Sequence, residues 1–346
     1  MGGYAALREY LKEWAAGEPR KAAIAGTIVN LADAGIGIAR VIAQGPLAGG
    51  MAAMRSNSTE EGRKPAELDL VTRETVMQAL KKSPVAWMGA QEDRDPAALN
   101  ADAPLAVNVD PLDGSSNIGS NLTLGTIFSI LPAEGPSPLL QPGRNQLAAG
   151  YIVYGPQTAL VLTVGQGTHI FWLAPGTDRF LLVRQNVQIP MATREYAINS
   201  SNFRHWDDAI KAYVLDCKLG ADGPRKANYN VRWLASLAAE AFQIFTRGGI
   251  YLYPGDRREG YTKGRLRLLY DANPIALLTE QAGGACTTGT GRILDIEPSS
   301  LHQRVPLVFG SKSEVDEIAH YYREPHSPGE RSPLFAQRGL FRSVRT

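Results

Sequence analysis

Cysteine is almost missing from this chain, and the two that occur, Cys217 and Cys286, stand far apart. That excludes a disulfide framework and a thiolate metal cluster, so both read as small buried apolar residues. Histidine is scarce as well, and no histidine falls at ligand spacing. Net charge is nearly absent, because 36 basic residues offset 34 acidic ones to leave +2. No overall field therefore draws the chain to nucleic acid or to an acidic membrane surface, and neither is expected as a partner. No run approaches the roughly 18 apolar residues that span a bilayer. Met1 to Ala16 mixes Arg8, Glu9, Lys12 and Glu13 with apolar residues, which suits an amphipathic helix and not a signal peptide, so a cytoplasmic location is the expectation. Internal repeats and low-complexity tracts are lacking too.

What is present is a chain of 346 residues, 44% apolar and 20% charged, enough for one large or two ordinary globular domains. Its densest chemistry lies at Val109 to Asn117, V-D-P-L-D-G-S-S-N. The apolar stretch Leu105 to Val109 predicts a strand before it, and Leu122 to Leu131 another after it. Asp110 and Asp113 can turn toward one point across a Pro-Leu corner, where they repel unless a cation lies between them. Gly114 lets backbone approach a ligand, and Ser115 and Ser116 offer hydroxyls and N–H groups suited to phosphate oxygens. The bland alternative is a solvated turn, since these residue types are ordinary turn vocabulary.

Upstream, the apolar spacing from Arg20 to Ala43 predicts a long amphipathic helix. Gly45 to Glu67 is polar and long for a connection, and reads as a disordered loop or a lid. Leu68 and Asp69 open a helix running through Lys82, where Asp69 is equally readable as a cap or as a catalytic carboxylate. A strand over Pro84 to Ala90 ends in the acidic run Gln91-Glu92-Asp93. Runs at 148–154, 158–164, 169–174 and 181–190 predict an antiparallel meander. The second half alternates: strand 196–200, helix 207–219, helix 231–247, strand 249–253, strand 266–270, a helix capped by Asn273 with Pro274 at its first position, strand 305–310 and helix 313–322.

Carboxylates that follow strands or open helices are Asp69, Glu92, Asp110, Asp113 and Asp271, an all-oxygen set that favours Mg²⁺ or Mn²⁺ over Zn²⁺. Arg265 and Arg267, two positions apart on one strand and hence on the same face, are the candidate phosphate partners, with Arg232 and Lys263 as further candidates, although arginine on an exposed strand is more often only solubilising. Asn199, Asn202, Trp233, Tyr251 and Tyr253 offer the polar and aromatic groups of a sugar-sized pocket, each also readable as core.

D-P-L-D-G-S-S-N followed by L-G-T-I-F-S-I resembles the signature of class I fructose-1,6-bisphosphatases. A second stretch, G-G-I-Y-L-Y-P with K-G-R-L-R-L-L-Y-D-A-N-P-I-A-L-L-T-E-Q-A-G-G-A-C-T-T-G, is similar to that family's C-terminal core. The resemblance runs from about Ala22 to Ser313. It implies an α/β, layered α-β-α-β-α sugar-phosphatase fold with a largely antiparallel N-terminal sheet and a mixed C-terminal sheet, usually tetrameric. A metal- and 1-phosphate-binding domain over 1–190, a sugar- and 6-phosphate-binding domain over 191–325 and a tail over 326–346 are expected. The implied activity is divalent-metal-dependent hydrolysis of the 1-phosphate of fructose 1,6-bisphosphate, in gluconeogenesis or a carbon-fixing cycle; nothing in the sequence excludes sedoheptulose 1,7-bisphosphate as a further substrate, since a pocket for a phosphorylated furanose could accept either.

Matched position by position, the resemblance implies metal ligation by Asp110, Asp113 and the Leu112 carbonyl. It implies 1-phosphate binding by Gly114, Ser115 and Arg267, to which the motif adds Ser116, and water activation by Asp69 and Glu92. On the sugar and 6-phosphate side it implies Asn199, Tyr253 and Arg265, with Arg232 reaching a neighbouring subunit. The chain also departs from the family pattern. Gln91 replaces a carboxylate ligand with an amide, Asp271 replaces a glutamate, Arg265 replaces a lysine, and the G-T-G-E-M-T-like stretch of AMP-inhibited members is missing. Those departures leave open a second reading, a catalytically impaired relative that binds sugar phosphates as a sensor or assembly subunit.

Overall fold

Residues 4–48 and 67–324 are described by the computed structural model of the chain. The expected tail over 326–346 lies outside the described residues, as does most of the expected loop from Gly45 to Glu67. Helices α1 (Leu7–Ala15), α2 (Pro19–Gln44) and α3 (Glu67–Lys81) open the chain. Pro19 begins α2, where its missing N–H leaves no bond unmade.

One sheet of eight strands follows: β1 (Val85–Ala90), β2 (Ala97–Ala98), β3 (Leu105–Asp113), β4 (Leu124–Pro132), β5 (Ala148–Tyr154), β6 (Thr158–Thr163), β7 (Thr168–Leu173) and β8 (Phe180–Arg184). Its order is β2-β1-β3-β4-β5-β6-β7-β8, antiparallel except between β1 and β3, which run parallel. The expected meander is β5 to β8. Strand β4 is buried along its whole length, which explains why it reads as a continuous apolar run and not as an alternation.

The remaining elements are β9 (Glu195–Ile198), α4 (Asp208–Lys218), β10 (Asn230–Val231), α5 (Leu237–Arg247), β11 (Ile250–Tyr253), β12 (Leu266–Arg267), α6 (Asn273–Gln281), β13 (Ala285–Thr287), β14 (Arg304–Val305), β15 (Leu307–Gly310) and α7 (Lys312–Arg323). A mixed five-stranded sheet has the order β10-β9-β11-β15-β13, and β12 pairs with β14 as a separate ribbon.

Three hydrophobic layers stack these pieces. Helices α1 to α3 pack on one face of the large sheet through Leu11, Ile28, Leu80, Val109 and Phe128. Helices α5 and α6 fill the space between the sheets, joining Ile127, Tyr151 and Val161 to Ala238, Ile275 and Phe309. Helices α4 and α7 cover the far face of the small sheet through Ile210, Tyr213, Leu252 and Ile318. The result is the expected α-β-α-β-α layering.

Four expectations are corrected. The strand before the acidic motif does not stop at Val109; β3 continues to Asp113, with its pairing to β4 interrupted between Asp110 and Asp113. An irregularity at Pro111 is natural, because proline donates nothing to the ladder. The helix expected over 231–247 starts only at Leu237, because Ala235 adopts a left-handed backbone (φ 57°) and the Ser236 hydroxyl accepts from Ala239 N–H as the N-cap. The strand expected over 266–270 ends at Arg267 and becomes a π-helical turn, Leu268–Ala272, that runs into α6. Asn273 is consequently inside the helical path and not its cap. Finally, α2 meets the length and composition of a membrane-crossing helix, with mean hydropathy 1.5, against the expectation that no such run exists. Its Ile24, Ile28, Leu31 and Ile38 are buried in the first core, which is where that apolarity is used.

Two glycines make the layers meet. A Cβ on Gly125 of β4 would stand 2.4 Å from Ala238 Cβ of α5, and one on Gly35 of α2 would stand 2.2 Å from Ile152 Cδ1. Ala238 Cβ is fixed to the backbone, whereas Ile152 Cδ1 is the free end of a side chain. Gly125→Ala is therefore expected to lower stability by about 2 kcal/mol or more. Gly35→Ala should cost clearly less, since helix propensity partly offsets the crowding. Urea unfolding midpoints of the two variants check the order, and equal midpoints would contradict it.

Candidate active site

The acidic motif sits where the large sheet meets α5. Asp113 Oδ2 accepts from the Ser236 hydroxyl at 2.7 Å and from Ala238 N–H at 2.9 Å, and Oδ1 accepts from Leu237 N–H at 3.2 Å. A carboxylate at a helix N-terminus satisfies orphan donors and meets the positive end of the dipole. The approach requires Gly114, whose φ of +76° and 3.0 Å clearance from Ser236 Cβ leave no room for a side chain. Ser115 then opens a short 3-10 turn over Ser115–Asn117, with Ser116 exposed. The Asn117 amide donates to the carbonyls of Thr123 and Leu234 at 3.0 and 3.3 Å, tying the turn to the loop ahead of α5.

Asp110 is buried on β3 and accepts from Leu112 N–H at 3.2 Å. Burial pushes its carboxyl well above the usual range, and Asp271, Asp113 and Glu92 add like-charge repulsion. Asp271 is equally buried and is pushed up to about 7, mainly by burial, while the Arg267 N–H that donates to it at 2.7 Å acts the other way. Asp113 is raised more gently, since burial is countered by its donors on α5. Asp110, Asp113, Asp271 and Glu92 thus occupy one electrostatic neighbourhood, and Asp69 is not among the main charges that act on Asp110 or Asp271.

The departures noted in the sequence have a structural form. The Gln91 amide, oriented with its nitrogen toward Asp271, donates to Oδ1 at 3.1 Å and Oδ2 at 3.3 Å. Glu92 is exposed beside it, and Asp69 lies in the first turn of α3, inside the helix rather than at a cap. Among the described residues no group of three or more histidine, cysteine, aspartate or glutamate side chains is arranged to hold a metal ion. Of the expected ligands, Asp110, Asp113, Asp271 and Glu92 act on one another and Gln91 meets Asp271, but no three of the acids close around one point. The reason is visible in the contacts: Asp113 faces α5, and Asp271 faces Gln91 and Arg267. The donors nevertheless fit a hard divalent cation in chemistry, because mutually repelling buried oxygens are what such an ion stabilises.

Asn199, Tyr253 and Arg265, the residues expected to bind sugar, line one small cleft together with Asn202, Trp206 and Asp256. Arg265 lies over the Tyr261 ring at 4.5 Å. Trp233 stacks on Tyr251 at 5.9 Å and 8°, and Tyr251 on Tyr253 at 6.0 Å, which stiffens one wall of the region. Arg267 serves another neighbourhood, donating from Nη1 to the His302 carbonyl at 3.1 Å. Arg232 is not brought to the cleft; it precedes α5 and pairs with Glu195 at 3.0 Å. Lys263 is exposed.

Sequence reasoning missed three residues. Ser236 anchors Asp113, and an N-cap serine ahead of an apolar run was a readable signal. Arg258 forks onto Asp256 and donates to Asn202 at 3.0 Å, in a basic stretch to which the sequence reading assigned no role. Glu240 is wholly buried on α5, accepts from Leu234 N–H, and is pushed up to about 7 by burial. Nothing in its local sequence distinguishes it from a solvated helix charge.

Two family models match almost end to end: the N-terminal domain described as fructose-1-6-bisphosphatase over residues 27–185, and its C-terminal domain over 189–323. The chain belongs to the fructose-1,6-bisphosphatase family. A class 1 fructose-1,6-bisphosphatase of Azorhizobium caulinodans is 52% identical over 91% of this chain and 98% of its own length. One from Rhizobium meliloti is 48% identical over 98% of this chain and 99% of its own. Among solved structures, the holo form of the Leishmania major fructose-1,6-bisphosphatase superposes with a TM-score of 0.84 at 28% identity, covering 93% of this chain and 99% of that one. The layering described above is therefore that of the family.

The crowded acids give a pH dependence with a definite sign. A buried carboxyl whose folded pKa is near 7 takes up a proton that the unfolded chain, titrating near its ordinary value, does not take up until lower pH. Stability of the cation-free protein should therefore rise as pH falls from 8 toward 5, by on the order of 2 kcal/mol for Asp271. Adding Mn²⁺ should stabilise more at pH 8 than at pH 6, because the cation competes with those protons. Melting midpoints in chelator and in Mn²⁺ at the two pH values test both signs. Separately, Ser236→Ala should cost about 1–2 kcal/mol by removing the cap and one Asp113 donor, measured by chemical denaturation.

Proposed function

We propose that this chain hydrolyses the 1-phosphate of D-fructose 1,6-bisphosphate to fructose 6-phosphate and phosphate, with Mg²⁺ or Mn²⁺. The observation that carries this reading is that buried Asp110 and Asp271 and half-buried Asp113 repel one another in one neighbourhood, on a chain whose close relatives bear that activity in their names. Arg267, Gly114, Ser115 and Ser116 hold the 1-phosphate, with the turn's N–H groups and the guanidinium supplying donors. Asn199, Tyr253 and Arg265 hold the sugar and the 6-phosphate. Asp69 and Glu92 orient the attacking water and accept its proton. Asp110, Asp113, Asp271, Glu92, Gln91 and the Leu112 carbonyl hold the cation. When bound, it supplies charge neutralisation for phosphoryl transfer.

The same reading divides the chain at about residue 190, with the acidic motif in the first unit and the sugar cleft in the second, supported by the break between β8 and β9. It includes a cytoplasmic homotetramer in gluconeogenesis or a carbon-fixing cycle, with Arg232 available at the surface as a subunit contact. Sedoheptulose 1,7-bisphosphate is the second substrate.

One observation favours the impaired-relative reading: the Gln91 amide occupies Asp271 where a ligating carboxylate is usual in the family. Phosphate release from both bisphosphates separates the two. The phosphatase reading expects release at millimolar Mg²⁺ or Mn²⁺ and none in chelator; no release with either cation would sink it. Gln91→Glu should raise metal affinity by adding a hard charged ligand, and a gain of a hundredfold or more in activity would mark the natural site as impaired.

A further inference from the structure

The Gln91–Asp93 turn and the Arg267–Asp271 segment both contribute to the candidate site and come from different halves of the chain. Besides the Gln91 contact with Asp271, a residue outside both segments joins them. His302 Nε2 donates to the Asp93 carbonyl at 2.9 Å, which places its proton on Nε2. The carbonyl of the same residue accepts from Arg267 Nη1 at 3.1 Å. The ring lies 5.8 Å from that of Tyr270, the residue before Asp271.

Both ends of this link are anchored. On one side, the Asp93 carboxylate takes Arg73 in a two-point pair, at 2.5 Å from Nε and 2.8 Å from Nη2. Arg73 is one helical turn beyond Asp69 on α3, so the Asp93 turn and the helix carrying Asp69 are fastened together. On the other side, β12 and β14 pair Arg267 with Arg304, and Leu268 N–H donates to the Gln303 carbonyl at 2.8 Å. The Arg73–Asp93–His302–Arg267 chain thus links the two segments in addition to the direct contact of Gln91 with Asp271. A ring that only filled space would not be met at its polar edge by the turn that carries the acids and at its backbone by the arginine.

We propose that His302 is a positioning residue that sets the separation between the cation side of the site, at Gln91 and Glu92, and the phosphate side, at Arg267. Its ring holds the acidic turn, and its carbonyl holds the guanidinium. Deleting the ring frees the turn while leaving the carbonyl in the β12–β14 ribbon, so cation binding suffers more than phosphate binding. The cation and phosphate roles rest on the phosphatase reading above; the hydrogen-bond chain does not.

The test uses the full chain with Mn²⁺ as probe. His302→Leu removes the Nε2 donor, and His302→Gln retains an N–H at similar reach. In the absence of substrate, calorimetric Mn²⁺ affinity should fall roughly tenfold in His302→Leu, as is usual for groups that orient ligands, and recover to within about threefold in His302→Gln. With fructose 1,6-bisphosphate, the half-activating Mn²⁺ concentration should rise by the same factor while KM at saturating Mn²⁺ moves less than threefold. Unchanged Mn²⁺ affinity in His302→Leu, or equal losses in the two variants, would overturn the proposal. Should His302→Leu not yield folded protein, His302→Asn, too short to reach the Asp93 carbonyl, must show the tenfold loss. Wild-type protein that binds Mn²⁺ but releases no phosphate would refute the phosphatase reading while leaving the Mn²⁺ comparison intact.

Discussion

The docking of Asp113 on the N-terminus of α5 is the contact on which the rest of the site depends. A carboxylate from the large sheet satisfies a serine hydroxyl and two helix N–H groups from the second half of the chain. Three charge-assisted bonds in a partly buried setting hold that geometry more firmly than neutral ones would. Gly114 and Gly125 remove the two Cβ atoms that would keep sheet and helix apart. The acidic motif is consequently both a ligand-bearing segment and a joint between layers.

Around that joint the protein tolerates an arrangement that opposes its own folding. Asp110 and Asp271 are buried and repel each other and Asp113, with Glu92 close enough to add to the field. Breaking the rule that buried charges are paired is expected at a working site, where a ligand later supplies the missing charge. Gln91 moderates the conflict by donating to Asp271. An amide there lowers the repulsion that a carboxylate would raise, at the cost of one charged ligand. The π-helical turn at Leu268–Ala272 belongs to the same arrangement, since it carries Asp271 inward and lets the Arg267 N–H cap it.

Much of this was legible in residue order. Local patterns located the helices and strands of the large sheet, and the D-P-L-D-G-S-S-N motif located Asp110, Asp113 and Gly114. Where reading failed, a local preference was overruled by a distant partner. The stretch from Val231 to Arg247 has helical composition throughout, but Ala235 and Ser236 end the loop late because Ser236 also answers to Asp113, 123 residues away. Leu266 to Tyr270 is apolar apart from Arg267 and reads as a strand, yet the pairing with β14 stops at Arg267 and the chain coils instead. Arg265 and Arg267 stand two apart in the chain yet make separate contacts, one on Tyr261 and one on His302, which their spacing alone did not show.

The sequence by itself determined which residue types could do the chemistry and, through apolar periodicity and turn residues, the order of the elements that carry them. Those are properties of neighbours in the chain, set by local sterics and by which faces must leave water. Only the tertiary structure decided which of the acids share a field, that Gln91 meets Asp271, that Glu240 is a buried carboxyl, and that His302 stands between Asp93 and Arg267. Each of those depends on residues that are remote in sequence and adjacent only after the two sheets close on α5 and α6. Desolvation and like-charge repulsion act through space, so no local pattern encodes them.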